Sequence, residues 1–215
     1  MTRWDAEREI LVAEQVEGAG VRDRRVLAAL RSVRRELFVP EDQRNKAYHN
    51  RPLPIGFGQT ISQPLIVAIM IEAMQLEGGE KVLEIGAGSG YAAAVLAEIA
   101  AEVFTIERIS ELAKVASTNL ASAGYENVEV RCADGTEGWP EEAPFDAILV
   151  SAGAPEAPAP LKRQLKVGGR LVIPVGSREG AQELIRVTRV SEDRYKADEI
   201  TEVRFVPLIG KEAWD

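Results

Sequence analysis

The chain has 215 residues, and its 26 Lys and Arg against 34 Asp and Glu give a formal net charge of −8. That length suffices for a full core in one domain, and the acidic balance argues against a protein whose whole surface must hold nucleic acid. A single cysteine, Cys132, excludes an internal disulfide, and no apolar run approaches the roughly 20 residues needed to cross a bilayer. The polar start MTRWDAEREI lacks the continuous apolar stretch of a secretory signal, so a reducing cytoplasm and no membrane partner are expected.

Two amphipathic helices are predicted first, over Trp4 to Glu17 and Asp23 to Arg35, followed by a proline- and glycine-rich loop from Pro40 to Gly58. Pro64 opens a helix to Met74, proline being favoured in a first turn. Strand-like and helix-like stretches then alternate. The strands are KVLEI (81–85), EVFTIE (102–107), NVEVRC (127–132), FDAILVS (145–151) and RLVIPVG (170–176). The helices run over Tyr91 to Ala100, Ser110 to Ala123 and Ala157 to Leu165, with Gly124 and the Gly168–Gly169 pair permitting left-handed caps. ELIRVTRV (183–190) and EVRFVPL (202–208) read as β-structure without an intervening helix. The expected fold is α/β, a doubly wound, mostly parallel sheet with an N-terminal helical cap and antiparallel C-terminal strands. It is read as one domain: a cap and active-site loop (1–79), a cofactor-binding core (80–176) and C-terminal strands (177–215).

The most informative stretch is KVLEIGAGSGY, residues 81 to 91, a strand ending in Glu84, Gly86, Gly88 and Gly90 just before an alanine-rich helix. Glycine at alternate positions lets the backbone take positive φ and a ligand approach closely. The dinucleotide pattern G-x-G-x-x-G would need a glycine at position 91, where Tyr91 stands. What remains, E-x-G-x-G-x-G, is the pattern of S-adenosylmethionine-dependent methyltransferases. Glu107 closes the next strand, 23 residues after Glu84, where a carboxylate accepts from ribose hydroxyls. Asp134 could accept from the adenine amine, with Gly135 leaving room for the ring. Alternatively, Glu107 caps a helix and Asp134 forms a turn.

Residues 52 to 64 read PLPIGFGQTISQP. Together with the glycine turn and VRFVPL (203–208), this segment resembles protein-L-isoaspartate O-methyltransferases. The resemblance covers almost the whole chain, including RELFVPE (35–41), FDAILVSA (145–152) and GGRLVIPVG (168–176). It implies methyl transfer from S-adenosylmethionine to the α-carboxyl of L-isoaspartyl residues in damaged proteins, and repair through a succinimide. It also implies Ser62 as the active-site residue and Thr60 beside it. By the same resemblance Glu84, Gly86, Gly88, Glu107 and Asp134 hold cofactor, while Val206, Pro207 and Leu208 line the peptide; Thr60, Gly90 and Gly135 are expected to join the cofactor site. Arg34, Ala133 and Ser151-Ala152-Gly153 depart from the usual family pattern. Isoaspartyl proteins are the expected partners, with no metal, no nucleic acid and a monomeric enzyme.

The chemistry agrees with the residue inventory. A carboxylate of pKa about 3.3–3.9 is already ionised at neutral pH, so the nucleophile needs no base. His49 is the one histidine, and no serine lies in G-x-S-x-G, which leaves serine hydrolysis unsupported. Ser62 would then orient rather than attack, or cap the helix that Pro64 opens. Residues 21 to 51 carry nine basic against four acidic side chains, a field for anionic substrates. The same segment makes RNA methylation the competing function, and a catalytically inactive S-adenosylmethionine-binding protein is the third reading.

Overall fold

Short strands that are rich in apolar residues, most of them followed by a helix, form a sheet covered on both faces. The computed structural model describes residues 2–215 and has this architecture. Strands β1 (Leu53–Gly56) and β2 (Gln59–Ile61) form a small hairpin. The main sheet contains β3 (Lys81–Ile85), β4 (Glu102–Glu107), β5 (Val128–Cys132), β6 (Phe145–Val150), β7 (Leu165–Gly176), β8 (Gln182–Ser191) and β9 (Arg194–Val203). Their spatial order is β5-β4-β3-β6-β7-β8-β9. The first five of these neighbours are parallel, and β8 and β9 add antiparallel hairpins. The antiparallel ending matches the sequence expectation.

Side chains alternate between two apolar layers. Val82, Ala147, Leu149 and Val172 face a layer with the N-terminal helices, whereas Leu83, Ile85, Phe104, Ile148 and Ile173 face the other, with Trp139 and Leu161. Helix α3 (Pro64–Met74) is apolar on nearly every side and lies inside the first layer. Its Glu72 accepts from the amides of Arg22 and Asp23, at 2.6 and 2.7 Å, so the cap is tied to the core beneath it.

Several expectations need correction. The first helix is α1 (Arg3–Ile10) continued by a π-helical stretch, Leu11–Glu17; α2 covers only Arg24–Ser32, with Asp23 as its N-cap. The predicted loop at 40–58 contains the 3₁₀ turn Glu41–Lys46 and strand β1. Helices α4 (Tyr91–Ala97) and α6 (Ala159–Arg163) are shorter than read, while α5 (Ser110–Ala123) ends on Gly124 at φ +88° as expected. Gly168 and Gly169 do not cap a helix; they lie within β7, where its register against β6 shifts between Leu165 and Arg170. Only the first residue of VRFVPL, Val203, lies in a strand. β9 ends at Val203, because the buried Gln182 side chain takes over pairing: its Oε1 accepts from the Phe205 amide at 2.8 Å. Residues 206–208 then run beside Gly153, which donates to Val206 and accepts from Leu208.

Candidate active site

The cavity opens beyond the C-terminal ends of β3, β4 and β6, where the strand order changes direction, the usual ligand crevice of such sheets. It is open to solvent at its mouth. The floor is the turn after β3, where Gly86, Gly88 and Gly90 take φ of +92°, +54° and +91°. Residues with a Cβ avoid this region. Gly86 and Gly88 line the cavity, but Gly90 does not: a Cβ there would stand 3.1 Å from Leu120 Cγ. Its glycine lets α4 pack on α5.

Glu84 is fully buried and borders the cavity. The Thr105 hydroxyl donates to its Oε2 at 2.6 Å, while Oε1 has no protein partner. Burial pushes its carboxyl up to about 8; the Thr105 bond opposes this and the nearby Glu107 adds to it. Glu107, also buried, accepts from the amides of Gly88 and Ile109, both at 2.9 Å, and retains lone pairs toward the cavity. The bond to Ile109 places a carboxylate just ahead of α5, but the N-cap is Ile109 without a side-chain cap bond, so Glu107 does not cap the helix.

Asp134 lies outside the lining. Its Oδ1 accepts from the amide and hydroxyl of Thr136 at 2.9 and 2.7 Å, and Oδ2 from the amide of Lys211 at 3.0 Å. The turn-forming alternative is therefore present in the structure, with Asp134 next to the cavity-lining Gly135. Gly135 does line the cavity, yet the room beside it is filled by protein: a Cβ there would overlap the Cγ2 methyl of Ile85.

A second groove adjoins the first, lined by Pro52, Ile66, Val203, Arg204 and Phe205 among others. Thr60, Ser62, Ser151 and Val206 border both spaces. Pro207 and Leu208 line the first cavity rather than the groove. Ser62 does not cap α3. The N-cap is Gln63 without a side-chain bond, and the Leu65 amide instead donates to Asn50 Oδ1 at 3.1 Å. The Ser62 hydroxyl is left with no hydrogen bond among the described residues.

Sequence reading missed four residues here. Ser151, at the C-terminal end of β6, drew notice only as a departure from pattern; its place at a strand end beside the switch in strand order was the available signal. Gln182, which pins Phe205, and Asn50 carried no local signal. Arg35 was counted in the basic segment, but it is completely buried. That segment is further neutralised by Arg31, which pairs with Glu9 and Glu17 at 3.1 and 3.3 Å.

The orphaned acceptor on Glu84 and the buried, unpartnered Ser89 hydroxyl beside a glycine cradle fit a ligand that carries a cationic amino group and hydroxyls. Such a donor pocket, separated from a groove by Thr60, Ser62, Ser151 and Val206, on this strand order, is that of an S-adenosylmethionine-dependent methyltransferase. The family model for protein-L-isoaspartate (D-aspartate) O-methyltransferase matches residues 6–213. The chain is 61% identical over 213 residues to protein-L-isoaspartate O-methyltransferase 1 of Rhodopseudomonas palustris strain HaA2, covering 99% of this chain and 87% of that one. It is 59% identical to protein-L-isoaspartate O-methyltransferase 2 of Pelobacter propionicus, covering 96% and 92%. A solved protein-L-isoaspartate O-methyltransferase superposes with TM-score 0.87 at 30% identity, covering 96% of this chain and 67% of the other. A Plasmodium falciparum protein assigned to the same enzymes, solved with S-adenosyl-L-homocysteine, gives 0.82 at 25% identity, covering 94% and 98%. The chain belongs to the protein-L-isoaspartate O-methyltransferase family.

Proposed function

We propose that this enzyme transfers the methyl group of S-adenosylmethionine to the free α-carboxylate of L-isoaspartyl residues in damaged proteins, which opens repair through a succinimide. Family membership supports the reaction, and one observation carries the site: Thr60, Ser62, Ser151 and Val206 form a wall common to the donor cavity and the groove. When bound, S-adenosylmethionine supplies a methyl group activated by its sulfonium.

The protein's own residues do the rest. Gly86 and Gly88 shape the floor, Glu84 offers its open oxygen to an ammonium, and Glu107 offers lone pairs to ribose hydroxyls. Ser62 points the substrate carboxylate at the methyl group, with Thr60 beside it, and no proton need be removed because the carboxylate is already ionised. Positioning two reactants is worth about 7–11 kcal/mol of barrier, enough to make orientation the main contribution. Val206 to Leu208, held against Gly153, wall off water from the transfer.

On this reading the chain works as one domain, since cap, core and C-terminal segment each supply a wall of the same cavity. It acts as a cytoplasmic monomer without a nucleic-acid partner; the net charge of −8 and the internal pairing of Arg31 favour protein over RNA. No described helix is long and apolar enough to cross a membrane. The test is methyl-labelled S-adenosylmethionine with one peptide in isoaspartyl and aspartyl forms, alongside a transfer RNA pool. Base-labile label on the isoaspartyl form alone is expected. Equal label on both peptides, or base-stable label on the RNA, rejects the proposal.

A further inference from the structure

Arg35 is the largest fully buried side chain of the protein, yet no carboxylate lies within ion-pair distance of it among the described residues. An isolated guanidinium is expensive to bury, and groups of this kind are ordinarily paired with an acid. Here the charge is met by backbone carbonyls and an aromatic ring, while the buried Nε has no hydrogen-bond partner. Nη1 donates to the carbonyl of Ala47, and Nη2 donates to those of Arg51 and Ser62 at 3.3 and 3.1 Å. Its Cζ stands 5.4 Å from the ring centre of Tyr91, a residue that lines the donor cavity. Desolvation pushes its pKa down to about 10, which leaves it charged at neutral pH.

The three carbonyls come from separate places: just after the 3₁₀ turn Glu41–Lys46, just before β1, and just after β2. A planar fork of donors can serve all three at once, whereas a lysine ammonium cannot match that geometry. Core packing alone would not require a charge here, since a Met or Leu fills similar space without the desolvation cost. What the charge adds is a hold on the Ser62 carbonyl.

We infer that Arg35 is a positioning residue for methyl transfer, holding the Ser62 carbonyl so that the Ser62 hydroxyl faces the substrate carboxylate. This rests on the role proposed for Ser62 above. Because a misplacement of about 1 Å costs on the order of a hundredfold in rate, Arg35→Lys should lower kcat on an isoaspartyl peptide by ten- to a hundredfold. Binding of S-adenosylhomocysteine, followed by calorimetry, should change far less than kcat, since Arg35→Lys still offers a cation to the Tyr91 ring that lines the donor cavity. The decisive arm is the double variant with Ser62→Ala. If Arg35 acts through Ser62, the double variant is no slower than Ser62→Ala alone. Losses that multiply, or an unchanged kcat in the folded Arg35→Lys protein, overturn the inference.

Two measurements on the wild-type protein need no variant to fold and no substrate. In ¹⁵N-arginine-labelled protein, a clamped guanidinium gives separate, slowly exchanging Nη signals, and the amides of residues 47–62 resist hydrogen exchange. A single averaged Nη signal, with rapid exchange through that segment, overturns the clamp even if methyl transfer to isoaspartate is confirmed.

Discussion

Asp134 accepts a hydrogen bond from the backbone amide of Lys211 at 3.0 Å, joining two residues 77 positions apart. The same carboxylate holds Thr136, whose hydroxyl accepts from the amide of Glu212, and Lys211 pairs with Glu137. The C-terminal segment is thus fastened just beyond Ile209, the last residue of the cavity wall. Asp134→Ala should weaken S-adenosylhomocysteine binding without removing any ligand contact, because the wall above loses its fastening. A charged hydrogen bond contributes roughly 1.5–3 kcal/mol, and partial exposure of Asp134 favours the lower end, or about a tenfold rise in Kd. Calorimetry showing unchanged affinity would mean that the segment holds itself.

The same fastening carries a pH dependence. Burial raises the Asp134 carboxyl, but the Lys211 amide and the hydroxyl and amide of Thr136 outweigh it and hold it below the ordinary 3.8. A depressed folded pKa stabilises above the unfolded value and is lost as pH falls through the folded one. Protection of the C-terminal segment from proteolysis should therefore persist at pH 5 and disappear only below pH 3.8.

Glu84 behaves in the opposite sense. Its pKa, raised from 4.5 to about 8 chiefly by burial, means that the folded protein binds a proton the unfolded chain has released. Between these two values the stability of the ligand-free protein falls as pH rises. Glu84→Gln removes this slope, so thermal denaturation of wild type and variant should converge or cross from pH 5 toward pH 8. Parallel curves across that range would show that Glu84 is ionised throughout.

Ser62 and Ser151 share the wall between cavity and groove but should differ on substitution. Ser62→Ala is expected to slow turnover by about ten- to a hundredfold, the equivalent of one charged hydrogen bond of roughly 1.5–3 kcal/mol. Cofactor affinity should be little changed. Ser151→Ala should act chiefly on KM for the peptide, as a secondary contact at the same junction. Steady-state kinetics separate the two, and equal activity of Ser62→Ala would remove that residue from the mechanism.

Gly135 offers a test of packing rather than chemistry. A methyl group there must displace the Ile85 side chain, and overpacking of this kind costs about 1–3 kcal/mol. Denaturant unfolding of Gly135→Ala should show that loss, with weaker cofactor binding following from the shift of Ile85 into the cavity lining. A variant of wild-type stability would place the crowding elsewhere.

The order of strands and helices, the glycine turn and the two carboxylates near strand ends could be read from the chain, because each is written locally: short apolar runs between helical stretches, glycines where a strand turns into a helix, and an acid near the end of a strand. The segment GQTISQP likewise pointed to Ser62, which borders both cavity and groove. The uses of Asp134, Gly90, Gly135, Gln182 and Arg35 could not be read in this way. Each is settled by a partner far along the chain: Lys211 for Asp134, Leu120 for Gly90, Ile85 for Gly135, Phe205 for Gln182 and Ser62 for Arg35. A carboxylate, a glycine or a buried arginine has the same local signature whether it meets a ligand or its own backbone. Only the packed fold, which decides which groups lose water together, assigns it to one or the other.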